Sequence, residues 1–140
     1  MSRSLDEHAL TERFDDLYRL AQRRVMLEIE RRVCGCDYGA TSWAPLPEAR
    51  RVGELLGLAP GQRLLDLGAG SGWPGLYLAR TTGCDVALVD VPLAGLRIAA
   101  RRAALDGLDG ACWIALADGA ALPFRSGWFD ALSHSDVLCC

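Results

Sequence analysis

The most chemically pointed segment of this chain is Leu64-Leu65-Asp66-Leu67-Gly68-Ala69-Gly70-Ser71-Gly72. An apolar run holding one acid is followed by three glycines at alternate positions. Glycine lets the backbone turn tightly and lets a ligand approach main-chain N–H groups with no Cβ in the way. A helix beginning behind such a turn adds the positive end of its dipole. The plain alternative is a strand-to-helix turn that binds nothing, but three alternate glycines exceed what a turn alone requires. Twenty residues after Gly70, Asp90 closes a second apolar run, Val86-Ala87-Leu88-Val89-Asp90. A carboxylate there can accept both hydroxyl hydrogens of a ribose, or it can cap the helix that Pro92 opens.

These two signals leave the ligand open. Gly70-Ser71-Gly72-Trp73-Pro74-Gly75 also satisfies the Gly-x-Gly-x-x-Gly pattern of nicotinamide enzymes. Asp66 argues against a pyrophosphate, which it would repel, and for a cationic amino or sulfonium group, which it would attract. Ala117-Asp118-Gly119 adds an acid able to accept a hydrogen bond from an exocyclic amine such as that of adenine. Asp118 is otherwise a loop acid or a cap. His134 is the only histidine in the second half of the chain. It is a candidate general base, or a strand-end residue whose main chain meets a ligand. Tyr38 and Trp43 either close over the ligand or simply pack.

The elements that must position these residues alternate. Apolar residues at Leu10, Phe14, Leu17, Tyr18, Ala21, Val25, Ile29 and Val33 predict one helical face, opened by a Ser4–Glu7 capping box and closed by Gly35. Arg23, Arg24, Arg31 and Arg32 fall mostly on the other side. A loop over 34–47 leads to a second helix from Pro47 through Leu58, with Val52, Leu55 and Leu56 inward. Strands are then expected at 63–67, 86–90, 112–116 and 129–133. Helices are expected over 74–80 and 92–105, the latter with Leu93, Leu96, Ala100 and Ala103 inward. Strands alternating with helices imply an α/β fold with a parallel sheet.

Composition narrows the function classes. The 140 residues suit one domain, with 51% hydrophobic and 24% charged residues and a net charge of -3. No apolar run approaches the roughly 18 residues of a membrane span. The start of the chain is polar and acidic, unlike a secretory signal. A cytoplasmic protein that binds neither nucleic acid nor membrane is expected, and its six cysteines are expected to be free thiols. No metal-ligand spacing is present: Cys34-Gly35-Cys36 is too tight for a zinc knuckle.

Residues 63 to 140 resemble the first half of a class I S-adenosylmethionine-dependent methyltransferase. The resemblance rests on four segments in order. They are the Leu64–Gly72 turn, the Val86–Asp90 run, Ala117-Asp118-Gly119-Ala120-Ala121-Leu122-Pro123-Phe124, and Phe129-Asp130-Ala131-Leu132-Ser133-His134-Ser135-Asp136-Val137-Leu138. It implies a Rossmann-like, mostly parallel sheet, of which this chain holds strands one to four of seven, in the family order 3-2-1-4-5-7-6. A helical cap over 1–60 and an apparently truncated cofactor-binding half over 61–140 follow. The resemblance assigns Asp66, Gly68, Ala69 and Gly70 to the methionine part of S-adenosylmethionine, Asp90 to the ribose and Val91 to the adenine face. Asp118 and Gly119 fall to the adenine edge, and the main chain at His134 to the methionine amino group. Cys139-Cys140 stand where such families often carry His-His. No catalytic residue and no metal are assigned.

The expected function is methyl transfer to an unidentified small-molecule acceptor. The alternatives are a half-domain that binds the cofactor without catalysis and a nicotinamide-dependent oxidoreductase. The missing strands would need roughly 70 residues, so strand four is expected at an open edge, where it can drive self-association.

Overall fold

A computed structural model of the chain describes residues 5–42 and 44–135. The Ser4 end of the capping box, Trp43 and Cys139-Cys140 lie outside the described residues. Four strands form one sheet: β1 (Arg63–Leu67), β2 (Asp85–Asp90), β3 (Cys112–Leu116) and β4 (Ala131–His134). Their order is β3-β2-β1-β4, and every pairing is parallel. Five helices accompany them: α1 (Leu5–Ala21), α2 (Arg24–Cys34), α3 (Leu46–Leu55), α4 (Gly75–Thr82) and α5 (Leu93–Leu105).

The topology follows from the handedness of the crossovers. The steps β1 to β2 and β2 to β3 run in one direction, so right-handed connections place α4 and α5 on one face. Leu64, Val86 and Leu88 point there and are buried with Leu76, Leu78, Leu96 and Ala99. The connection from β3 to β4 returns past β1 and lies on the opposite face. Its Leu122, Phe124 and Phe129 cover Leu65, Ala87 and Val89, with the two phenyl rings edge to face at 4.9 Å. Central strands covered on both faces explain why β1 and β2 read as nearly unbroken apolar runs.

The amino-terminal segment shares this core. Cys34, Cys36, Tyr38 and Ala49 belong to the same buried cluster as Leu64 and Leu88. The Trp73 indole donates to the Ala44 carbonyl at 2.9 Å, and its ring lies 5.1 Å from Tyr38. The Arg102 guanidinium stacks on Tyr38 at 4.1 Å. Tyr38 therefore packs against Trp73 and Arg102. Cys34, Cys36, Cys84 and Cys112 are free thiols, as expected.

Four expectations need correction. The single amino-terminal helix is two, because Arg23 has extended backbone (φ -65°, ψ 140°) and opens α2 anew. The break lets α1 pack on α5 while α2 turns toward the following loop, where the Glu30 carboxylate accepts the Gly39 N–H at 2.7 Å. As a result Val25, Ile29 and Val33 are exposed, as are Leu10 and Leu17, and only Tyr18 and Ala21 of the expected stripe are buried. Leu55 is also exposed, because α3 approaches α4 through Ala49 and Gly53, the latter beside Leu78. On α5 the inward residues are Gly95, Leu96, Ala99 and Ala103, while Leu93 and Ala100 face solvent. Strand β4 begins at Ala131, two residues later than expected.

Candidate cofactor site

The sheet changes direction of winding at β1, since its connections lead to β2 on one side and β4 on the other. Ligands of open α/β sheets bind outside the carboxyl ends of the strands at such a point. The glycine turn lies here. Gly68 and Ala69 donate their N–H groups to the Val89 carbonyl at 2.8 and 3.1 Å. The Gly70 N–H donates to Asp90 Oδ2 at 2.7 Å, and Asp90 Oδ1 accepts the Val91 N–H at 2.8 Å. Asp90 thus joins the turn after β1 to the start of the chain leading into α5. Burial pushes its carboxyl above the ordinary range, offset by these two N–H donors, and the nearby Asp15 charge pushes the same way as burial.

Asp66 is set deeper. It is 1% exposed, and both its oxygens are engaged: Oδ2 accepts the Gly75 N–H at 3.0 Å and Oδ1 the Ser133 hydroxyl at 3.2 Å. The carboxyl therefore ties three pieces of the switch point together: β1, the start of α4 and β4. A Cβ at Gly75 would overlap Asp66 Oδ2 and fall 2.8 Å from Leu88, so this close approach requires glycine. Burial pushes the Asp66 carboxyl up to about 7, against the two hydrogen bonds that lower it.

The other expected residues surround the same end of the sheet. Val91 follows β2 and is half-buried. Asp118 and Gly119 follow β3 and are exposed. Asp118 Oδ1 accepts the Ala120 N–H at 2.9 Å, and a Cβ at Gly119 would contact the Leu67 side chain at 3.3 Å. His134 ends β4 in register with Leu67 and is exposed. The structure thus brings Gly68, Ala69, Gly70, Asp90 and Val91 into one bonded unit, with Asp66 beneath it and Asp118, Gly119 and His134 at neighbouring strand ends.

Two residues at this site had no sequence signal beyond helical periodicity. Tyr18 of α1 lies over the turn: a Cβ on Gly70 (φ +52°) would overlap its hydroxyl. Asp15 Oδ1 accepts the Ala94 N–H at 2.7 Å. Both are far from the turn in sequence.

The acceptor positions left on Asp90 fit the ribose hydroxyls of an adenosyl group. Each Asp90 oxygen accepts one backbone N–H and keeps a further acceptor position, which matches a vicinal diol. The Ser71 hydroxyl, inside the turn, is buried and has no hydrogen-bond partner among the described residues. Among the described residues no group of His, Cys, Asp and Glu could hold a metal ion.

The profile of the methyltransferase-domain family matches residues 64–140. The chain is 34% identical over 93 residues to methyltransferase GfsG of Streptomyces halstedii, covering 63% of this chain and 34% of that protein. It is 37% identical over 87 residues to demethylmenaquinone methyltransferase of Renibacterium salmoninarum, covering 61% and 33%. A solved structure of geranyl diphosphate methyltransferase in complex with S-adenosylmethionine superposes with a TM-score of 0.59 at 27% identity, covering 63% of this chain and 36% of that one. The chain spans about a third of the length of the relatives it matches.

Proposed function

This chain belongs to the methyltransferase-domain family, and from that premise we propose that it holds S-adenosylmethionine for methyl transfer to a small-molecule acceptor. The observation that carries the reading is the Asp90 carboxylate fastened to the Gly70 N–H at 2.7 Å, which sets a diol acceptor beside the glycine turn at the switch point. In this reading Asp90 takes the ribose hydroxyls and Val91 bounds the adenine. Asp118 takes the adenine amine, and the Gly119 N–H serves the same edge. Gly68, Ala69 and Gly70 border the methionine part, and Asp66 acts on it through the turn it anchors. The main chain at His134 serves the methionine amino group.

S-adenosylmethionine supplies an electrophilic methyl group on a sulfonium sulfur. What the protein adds is alignment and exclusion of water, since displacement requires nucleophile, carbon and leaving sulfur in line. No residue is assigned as a catalytic base. Demethylmenaquinone and geranyl diphosphate, named for two relatives, are small molecules and the first acceptors to assay. The same reading includes a cytoplasmic protein that binds neither nucleic acid nor membrane, with a helical cap over 1–60 and a cofactor-binding part over 61–140. Among the described residues no helix is long and apolar enough to cross a membrane.

Calorimetric titration tests binding separately from transfer. Saturable binding of S-adenosylmethionine is expected, with no heat from NAD. Replacing Asp90 with Ala should weaken binding about tenfold or more, the cost of losing charge-assisted hydrogen bonds. Saturable NAD binding with no response to S-adenosylmethionine would return the site to the nicotinamide alternative.

A further inference from the structure

We propose that Asp15 is a positioning residue for the cofactor cleft, pinning α1, and with it Tyr18, against the glycine turn. The inference rests on the reading that this cleft holds S-adenosylmethionine, and it names a control on that ligand's release. The Ala94 N–H lies in the first turn of α5, where backbone donors have no partner within the helix. Its acceptor is Asp15 Oδ1, at 2.7 Å and 79 residues earlier in the chain. This one bond fastens α1 to the helix start that immediately follows Asp90 and Val91.

One turn along α1 from Asp15, Tyr18 is 6% exposed. Its hydroxyl sits over Gly70, and a Cβ on Gly95 would come within 3.0 Å of its ring. The ring therefore fills the space that both glycines leave open. Thr41 donates its hydroxyl hydrogen to the Tyr18 oxygen at 3.3 Å, which holds the outer end of the side chain. The turn is thus walled on this side by a helix that belongs to no strand crossover and ends at Ala21, two residues before the extended Arg23. Asp90 and Asp15 accept backbone N–H groups on either side of Pro92, from Val91 and Ala94 respectively, and Tyr18 bounds the turn at Gly70.

The test uses the 140-residue chain and S-adenosylhomocysteine as the probe. Asp15→Ala should release the probe about tenfold faster in stopped-flow measurements, the effect of losing a helix cap of ordinary strength. Asp15→Asn keeps an oxygen acceptor for Ala94 and should release it at close to the wild-type rate. An Asp15→Ala protein that melts at lower temperature but releases the probe at the wild-type rate would overturn the proposal, since a purely structural role predicts that result. A second measurement needs no variant. In hydrogen–deuterium exchange on the wild-type chain, the probe should slow exchange in Leu5–Ala21 together with the glycine turn. Protection of the turn alone overturns the proposal. A wild-type chain that binds no probe removes the cofactor reading and this inference with it, whereas binding unaltered by Asp15→Ala removes this inference only.

Discussion

A carboxyl group shut away from water keeps its proton longer, and Asp66 is the case in this molecule. Its pKa of about 7 against an ordinary 3.8 means that the native chain holds a proton which the unfolded chain releases between about pH 4 and pH 7. The contribution of Asp66 to stability is therefore greatest below this window, falls as pH rises through it, and levels off above it. A shift of about three units corresponds to up to about 4 kcal/mol. Urea denaturation from pH 4 to pH 8 should show this decline, and Asp66→Asn should flatten it, because an amide can still accept from Gly75 and donate to Ser133. An unchanged slope in Asp66→Asn would place the titrating group elsewhere. Gly75 belongs to the same argument. Gly75→Ala drives a Cβ into Asp66 and Leu88 and should cost about 1–3 kcal/mol, read as a lowered denaturation midpoint.

At the scale of elements, the strands followed their residues more closely than the amino-terminal helices did. β1 and β3 have the expected bounds, and β2 begins one residue early. A buried parallel strand advertises itself, because both faces must be apolar. An amphipathic stripe fixes only that a helix has two faces, not which one meets the protein. The stripe through Val25, Ile29 and Val33 continues that of α1 in sequence, yet the break at Arg23 turns it to solvent. Polar substitution tests the difference. Val25→Ser and Val33→Ser should each shift stability by no more than about 0.5 kcal/mol. Leu88→Ala, at a residue with 0% exposure, should cost about 2–5 kcal/mol. A loss above about 2 kcal/mol at Val33 would mean that another surface covers α2.

For the molecule as a whole, the sheet has unequal surroundings. Its centre, β1 and β2, is sealed by α4 and α5 on one face and by the return connection on the other. Among the described residues β4 pairs only with β1, and its Leu132 is 49% exposed. Such an edge offers free backbone groups beside an apolar side chain. We therefore expect the 140-residue chain to self-associate through β4, and Leu132→Lys to shift it toward monomer in sedimentation velocity. A wild-type chain that sediments as a monomer at all concentrations would rule this out.

The sequence by itself determined the α/β class, the order of the strand and turn segments, and the pairing of a glycine turn with a carboxylate twenty residues on. These are local properties: periodicity, turn chemistry and spacing along one crossover unit. Only the tertiary structure decided that Asp66 faces inward to Gly75 and Ser133, since its second partner lies 67 residues away. Only the tertiary structure placed Asp15 and Tyr18 at the turn. Their contacts arise where α1 packs on α5, and helix-on-helix packing is set by the shape of whole faces rather than by any spacing a single segment displays.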